Sequence, residues 1–307
     1  MPTSAVGHRR DRVGVILAAV GALSYGVTVI VGEDLADAGV GSATALGVRF
    51  LIGGTMLAVI LVVRRVSLIG SRRHVLVGLG LGVLYAIEAT LFFAALERGT
   101  AAAAALVFYV YPAVVTMIEL ARGNEHPRRS IFIALGLSLG GTAVVVAAGG
   151  DVAVTPVGVA FALSAATVFS LYLLIGREVS RGVDPMLVAC WVALGAGVTN
   201  LLRATVTQEL ANPSSRTLEL ILYGAATAIA FSLTFAAMGR IGAARVSVVM
   251  TLEAASSVVM AAIFLGESIR AAQAAGGAAV LAAAIVIARG QPEDVAIARE
   301  AAPAAGT

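Results

Sequence analysis

The chain has 307 residues, of which 59% are hydrophobic and only 13% are charged, with a mean hydropathy of +0.97. Soluble domains carry roughly 25% charged residues, so this composition excludes an ordinary globular protein. All 21 basic residues are arginines in short clusters between apolar runs, which indicates lipid headgroups rather than nucleic acid as the anionic partner. The single cysteine, Cys190, excludes an internal disulfide and a cysteine metal cluster.

Ten apolar runs follow one another with short connections, and a helix needs about 20 such residues to cross a bilayer. The predicted spans are 13–31, 42–63, 74–96, 100–121, 130–149, 155–176, 185–205, 218–239, 242–265 and 269–288. The basic segment 1–12 leads directly into the first span with no small-residue cleavage site, which predicts a retained helix. Residues 289–307 are polar and predict a cytoplasmic tail. We therefore predict one multi-pass membrane domain.

The arginines predict the orientation of this domain. With the N-terminus inside, the cytoplasmic segments hold sixteen arginines and the outer segments four, while Arg49 lies within a span. Cytoplasmic loops carry the excess of basic residues in membrane proteins. Both termini are therefore predicted on the cytoplasmic side of the cell membrane.

The second half of the chain repeats the first. The segment Phe93-Ala94-Ala95-Leu96-Glu97-Arg98 returns 142 residues later as Phe235-Ala236-Ala237-Met238-Gly239-Arg240, and the same offset pairs Tyr111 with Glu253. Each unit, 13–149 and 150–288, holds five spans, an odd number, so the second must be inverted relative to the first. Inverted repeats are typical of secondary transporters, whose site lies near the midplane between the halves. The predicted fold is thus all-α, with ten transmembrane helices in two inverted five-helix repeats.

Three segments are similar to those of a known transporter family: ALERGTAAAAALVFYVYPAVV at 95–115, GNEHPRRS at 123–130 and TLEAASSVVMAAIFLGES at 251–268. In these segments the chain resembles an EamA-type member of the drug/metabolite transporter superfamily. The resemblance implies a ten-helix fold and transport, without naming a substrate. Ala254 stands where the family has a proline in the ninth helix, so the sequence predicts a proline kink only at the hinge residue Pro112, and we do not assume a matching bend in the second half.

Three ionisable residues lie inside predicted spans, where they are costly and usually face a cavity or a partner. At 1.5 Å per residue, Glu253 is about 16 Å into its helix, close to the midplane. It could exchange a proton, attract a substrate ammonium, or serve as a structural carboxylate bonded to a neighbouring helix. Arg49 and Glu88 lie at a common depth in the outer half. They could form a buried ion pair, or Arg49 could hold a substrate carboxylate that Glu88 orients.

Aromatic residues within the spans suggest a cavity that stacks an amphipathic solute. We include Tyr111, the repeat mate of Glu253, together with Tyr25, Tyr85 and Trp191, all away from the interfacial belt where such rings usually anchor. Core packing remains the alternative for each ring taken alone. No histidine spacing supports a metal site, and no cofactor is predicted.

Two further patterns concern helix ends and helix packing. Glu125 and its repeat mate Glu267 end corresponding helices, which predicts a structural bond to the next helix or a gate. The glycine pairs Gly78/Gly82 and Gly136/Gly140 have the four-residue spacing that lets helices approach closely in lipid.

Three functions remain to be weighed. The sequence favours a secondary transporter that exports small metabolites, with amino acids or related amphipathic compounds as the expected class, driven by the proton gradient or by the gradient of the substrate itself. The alternatives are a multidrug or amine exporter, in which Glu253 would matter and Arg49 would not, and a lipid flippase, for which Arg49 alone gives little support. An intramembrane enzyme is not expected, because no aspartate lies inside a span and the one histidine in a predicted span, His74, is its first residue. Substrate identity, flux direction and assembly as monomer or homodimer stay open.

Overall fold

The computed structural model describes residues 3–69, 71–150, 153–210, 214–264 and 268–289, and this part of the chain is almost wholly helical. Glu267 and the tail beyond 289 lie outside the described residues. The helices are α1 (Thr3–Asp37), α2 (Ser42–Val63), α3 (Arg72–Leu96), α4 (Ala101–Phe108), α5 (Tyr111–Ala121), α6 (Arg129–Gly149), α7 (Pro156–Val179), α8 (Pro185–Val206), α9 (Thr217–Met250), α10 (Leu252–Phe264) and α11 (Ala271–Arg289). A short 3₁₀ turn, Ser214–Arg216, precedes α9.

The helix α9 joins two predicted spans. Gly242 inside it has φ +80° and ψ 167°, a conformation that interrupts the helix and that glycine adopts without strain. Two membrane crossings are therefore connected by a single residue. Because α4 and α5 together form one crossing, and the end of α9 with α10 forms another, the described residues give the predicted ten spans, and the two-repeat fold is confirmed.

The packing of the bundle follows the two-fold relation between the repeats. The most extensive contacts join α1 to α9, and the equivalent contact in the other half joins α7 to α3. The helices α2 and α8, which correspond to each other, pack together, and so do α6 and α11. The two repeats thus interleave, so that the main interfaces join one repeat to the other.

Glycine allows these interfaces to be close. A β-carbon on Gly82 would meet the Val192 carbonyl oxygen, and one on Gly78 would lie 2.7 Å from Trp191 Cβ, so this predicted pair does face another helix. The prediction for Gly136 and Gly140 is wrong, because both are exposed with open space at the Cβ position. The contact in α6 is made instead by Gly141, whose β-carbon would lie 2.7 Å from the Gly276 carbonyl oxygen of α11.

We call the end of the bundle where α1 begins and α11 ends the terminal face, and the other end the opposite face. The connections of α2 to α3, α5 to α6, and α7 to α8 lie at the terminal face. At the opposite face the Thr100 amide donates to the Ala153 carbonyl oxygen over 2.7 Å, which joins the α3–α4 connection to the start of the second repeat.

Candidate functional site

Both repeats contain a broken helix at corresponding positions. The first break falls at Tyr109 and Val110, between α4 and α5, and the second at Thr251, between α9 and α10. Tyr109 and Thr251 are 142 residues apart, the offset of the repeat. Tyr111 then opens α5, and Glu253 lies in the first turn of α10. In transporters with inverted repeats, such discontinuous helices form the substrate site near the midplane.

The two breaks have different local causes. Pro112 has no N–H to donate, so it removes a hydrogen bond at the start of α5. Ala254 does have an N–H, yet it donates to the Thr251 carbonyl three residues back, over 3.1 Å. Contrary to what the missing proline suggests, the second half therefore breaks at the matching position.

Hydroxyl groups satisfy the backbone around this second break. Thr251 Oγ1 donates to the Val248 carbonyl, and Ser256 Oγ and Ser257 Oγ both donate to the Glu253 carbonyl, over 2.7 to 2.9 Å. Such side chains offer backbone carbonyls an alternative to regular helical bonding. Around Thr251, hydroxyl groups thus add bonds to backbone carbonyls where the chain has no proline.

A cluster of aromatic rings fills the bundle beside the breaks. Tyr85 is at its centre, with ring centroids 5.2 Å from Tyr172, 5.3 Å from Phe50 and Phe231, and 6.2 Å from Phe169. Tyr25 of α1 lies beside Tyr85. Gly26 lets α1 pack closely against α10, because its Cβ position would meet Ser256 Oγ and lies 3.1 Å from Ser256 Cβ.

Tyr111 belongs to the same cluster but is held on several sides. Its ring meets Phe169 edge-on at 4.8 Å, its hydroxyl donates to the Ser247 carbonyl, and its own carbonyl accepts from Ser170 Oγ, each bond being 3.4 Å long. Tyr111 is only 1% exposed. The neighbouring Tyr109, 6.3 Å away between ring centroids, is partly exposed. Tyr111 therefore joins the two repeats at the break, while Tyr109 faces more open space.

Glu253 and Glu88 are brought close to these rings. Glu253 lies within electrostatic range of Arg49, Glu88, Tyr25, Tyr85 and Tyr111. Among the described residues, neither carboxylate has a hydrogen-bond or ion-pair partner. Glu88 is only 7% exposed, whereas Glu253 keeps partial exposure deep in the bundle. An acid that is unpaired and partly exposed at this depth indicates a polar space rather than close packing.

Arg49 is bonded to α9 and not to Glu88. Its Nε donates to Thr227 Oγ1 over 2.6 Å and its Nη1 to the Tyr223 hydroxyl over 3.2 Å. The guanidinium also lies over the rings of Phe50 and Tyr223, 4.8 and 4.6 Å from their centroids. Glu88 is within electrostatic range of Arg49 but is not in ion-pair contact with it. The expected direct ion pair between Arg49 and Glu88 is therefore absent, because Tyr223 and Thr227 of α9 are the hydrogen-bond partners of Arg49. These two residues are four apart in the sequence and so lie on one face of the helix, which is the signal from which they could have been predicted.

Trp191 lies apart from this cluster. Its indole N–H donates to the Leu68 carbonyl in the α2–α3 connection over 3.0 Å, and its β-carbon packs on Gly78. Its position at the terminal face follows from these contacts. Trp191 is thus a packing residue that holds a loop, contrary to the expectation that it stacks solute with Tyr85.

Ion pairs join separate helices at the terminal face. The Arg177 guanidinium of α7 pairs with Glu119 of α5, a carboxylate that is 3% exposed and accepts a second bond from the Asn124 amide. Arg245 of α9 pairs with Glu125 over 3.2 Å and with Asp11 over 3.6 Å.

Of these acids, Glu125 was singled out in the sequence and Glu119 was not. Glu125 pairs with Arg245 of the second repeat, as a structural or gating residue would. Glu119 was missed, although a carboxylate two residues before the end of an apolar run is a visible signal.

The opposite face has its own connection between repeats. Glu209, just after α8, accepts from the Ala43 amide at the start of α2 over 2.9 Å, and Arg203 bonds Ser42 and Thr90. Burial disfavours the charged form of Glu209, but the Ala43 amide, nearby hydroxyls and the charge of Arg203 outweigh it, so the pKa of Glu209 is lowered. Both ends of the bundle therefore carry polar contacts between the repeats, with the aromatic and acidic site between them.

Comparison with known proteins agrees with this geometry. The model of the EamA-like transporter family matches residues 12–147 and 156–289. A chain of known crystal structure superposes with a TM-score of 0.76 at 21% identity, over 89% of this chain and 97% of its own length, which shows a shared fold. A search of curated protein sequences gave no match. The two matched segments, each one five-helix unit, show that this multi-pass membrane protein belongs to the EamA-like transporter family.

Proposed function

We propose that the protein is a secondary transporter that exports small amphipathic metabolites bearing an amino group, by alternating access and in exchange for protons. The family accounts for small-molecule transport. The observation that carries the proposal further is Glu253, which is unpaired and partly exposed at a helix break between the inverted repeats. A carboxylate there can bind an ammonium group or a proton.

The distribution of polar contacts supports alternating access. Contacts between the repeats occur at both faces, through Arg245 and Glu125 at one and Glu209 and Ala43 at the other. Because an inverted repeat places equivalent helices at opposite ends, opening one face while the other stays closed is a rocking motion about the central site.

The experiment compares the medium of cells that express wild type, Glu253→Gln or the control Glu97→Gln, with membrane levels matched. Glu97 is at the opposite face, and its side chain is 72% exposed. We expect a metabolite enriched by wild type and by Glu97→Gln to fall to the background of cells without the protein when Glu253→Gln is expressed. Normal export by a well-folded Glu253→Gln protein would reduce this glutamate to a structural role and leave the transporter in place.

An exporter of amines is the second candidate. Arg49 favours it, because this arginine already donates to Thr227 and Tyr223 and is covered by two rings. An arginine placed in this way is less available to a substrate carboxylate than the sequence suggested. A lipid flippase gains no comparable support from the contacts around Arg49.

A further inference from the structure

We infer that the central site selects a solute by its net positive charge: an organic monocation with one aromatic or other apolar part, held jointly by Glu88 and Glu253. This inference rests on the proposed function and names the substrate class of the same site. Among the solutes that carry an amino group, the inferred substrates are those that lack a carboxylate to balance its charge.

The charges of the central site do not balance. Two carboxylates, Glu88 and Glu253, lie within electrostatic range of each other and of one guanidinium, Arg49. When all three are ionised, the site carries one uncompensated negative charge. A buried charge is costly unless it is paired, so this site is stabilised when it takes up a positive charge, as a proton or as an organic cation that replaces the proton, and is destabilised by an anion.

The three charged groups differ in how far their hydrogen-bonding capacity is used. Glu88 is 7% exposed and, among the described residues, has no hydrogen-bond or ion-pair partner, although such groups are normally satisfied when buried. Glu253 is equally unpartnered. Arg49, in contrast, already donates hydrogen bonds from Nε to Thr227 and from Nη1 to Tyr223. The unfilled bonding capacity is therefore concentrated on the two acids.

Aromatic rings surround the two acids. Tyr85 and Tyr111 each lie within electrostatic range of both Glu88 and Glu253. Tyr85 is in contact with the rings of Phe50, Phe169, Tyr172 and Phe231. The faces of aromatic rings attract cations and also pack against apolar groups. Rings and carboxylates together suit a protonated amine on an apolar body better than a zwitterion, whose carboxylate would face Glu88 or Glu253.

Arg49 acquires a different role in this arrangement. It contacts α9 through Tyr223 and Thr227 and joins α2 to the second repeat. We assign it as a positioning residue that holds α2 and α9 together and limits the net charge of the site to a single unit.

The test uses three solutes that share a phenyl ring and a short chain: phenethylamine, a cation; phenylalanine, a zwitterion; and 3-phenylpropionate, an anion. Binding of each radiolabelled solute is measured on the purified full-length protein, and uptake in proteoliposomes. We expect phenethylamine to bind at least about tenfold more tightly than phenylalanine, and 3-phenylpropionate more weakly still. Glu88→Gln and Glu253→Gln should each lower phenethylamine affinity by about tenfold or more, while Glu97→Gln should leave it unchanged.

Gel filtration and thermal unfolding verify that each variant is folded. If Glu88→Gln does not fold, Glu88→Asp replaces it, and a loss of affinity with the charge retained but withdrawn by one methylene supports the same role. Tighter binding of phenylalanine than of phenethylamine, equal binding of all three, or no binding of phenethylamine would overturn the inference. Uptake of phenylalanine without uptake of phenethylamine would overturn the inferred selectivity for cations but leave the proposed transport function intact.

Discussion

Arg49 shows how one residue type can satisfy a membrane-buried position. Its planar group donates in two directions, to Thr227 and to Tyr223, while both of its faces are available to rings. A buried charge that lacks such partners would be strongly unfavourable. The fork of donors, and not the charge alone, makes an arginine at position 49 compatible with the span.

Arg49→Lys tests this requirement. Lysine keeps the charge but cannot make both bonds and stack on Phe50, so we expect the free energy of unfolding to fall by about 2–3 kcal/mol and transport to fall with it. The apparent melting temperature of detergent-solubilised protein is the measurement. Arg216→Lys is the control, because Arg216 is 35% exposed and pairs with Asp34 at the surface, where such pairs contribute about 0–1 kcal/mol. Equal melting temperatures for the two variants would contradict the assignment.

At the scale of the helix, the ion pair between the buried Glu119 and the partly buried Arg177 connects α5 to α7 next to the connection between two spans. Gly242, the single residue between those spans, has Arg177 Nε 3.7 Å from its Cβ position. The guanidinium is therefore held at the point where α9 turns back into the membrane. This contact makes the terminal end of α7 sensitive to the charge on α5.

We expect Glu119→Gln to lower the free energy of unfolding by about 2–3 kcal/mol, because it leaves Arg177, whose side chain is only 15% exposed, without its counter-charge. The double variant Glu119→Gln with Arg177→Gln should lose less free energy of unfolding than the two single variants lose together. We expect the difference, which is the coupling energy, to be at least about 1 kcal/mol. The exposed pair Glu178–Arg181 supplies a matched cycle in which the coupling should be close to zero. Strictly additive effects at Glu119 and Arg177 would argue that the two charges do not interact.

Helix packing gives a second prediction at this scale. In α6, Gly141→Ala places a β-carbon 2.7 Å from the Gly276 carbonyl oxygen, while Gly136→Ala meets open space. Gly141→Ala should therefore destabilise the protein by about 1–3 kcal/mol through overpacking. Gly136→Ala should be neutral or stabilising by up to about 1 kcal/mol, because alanine is the better helix former. The measurement is thermal unfolding of both variants and of Gly276→Ala, which changes the glycine that faces Gly141. Equal stability of Gly141→Ala and Gly136→Ala would contradict the prediction.

For the whole molecule, the arginine distribution predicts that the terminal face is cytoplasmic. The prediction can be tested with Cys190→Ala, which removes the one buried thiol, followed by single cysteines at Ala38 and Ser67. Both positions are exposed, Ala38 at the opposite face and Ser67 in the α2–α3 connection. A membrane-impermeant maleimide on intact cells should label the cysteine at 38 and reach the cysteine at 67 only after lysis. The reverse pattern would show that the topology is inverted.

The central site was only partly predictable. Glu253, Glu88 and Arg49 stand out in apolar runs, and the repeat offset pairs Tyr111 with Glu253, so these positions could be found by reading the sequence. The rings of Phe50, Phe169 and Phe231 could not, because phenylalanine in a membrane span is as compatible with lipid contact as with a cavity. Tyr85 and Trp191 looked alike as in-span aromatics, yet one is the centre of the ring cluster and the other bonds the Leu68 carbonyl.

The sequence by itself determined the class of fold, because span length, arginine distribution and the 142-residue repeat are local or periodic signals that the bilayer and the inversion constrain. Only the tertiary structure decided which side chains meet. The second helix breaks at Thr251 without a proline, Gly141 and not Gly136 approaches α11, and Arg49 bonds α9 in preference to Glu88. Each of these outcomes depends on the rotation of one helix against a neighbour far away in the chain, and in a nearly uniformly apolar sequence that rotation is set by packing between the repeats.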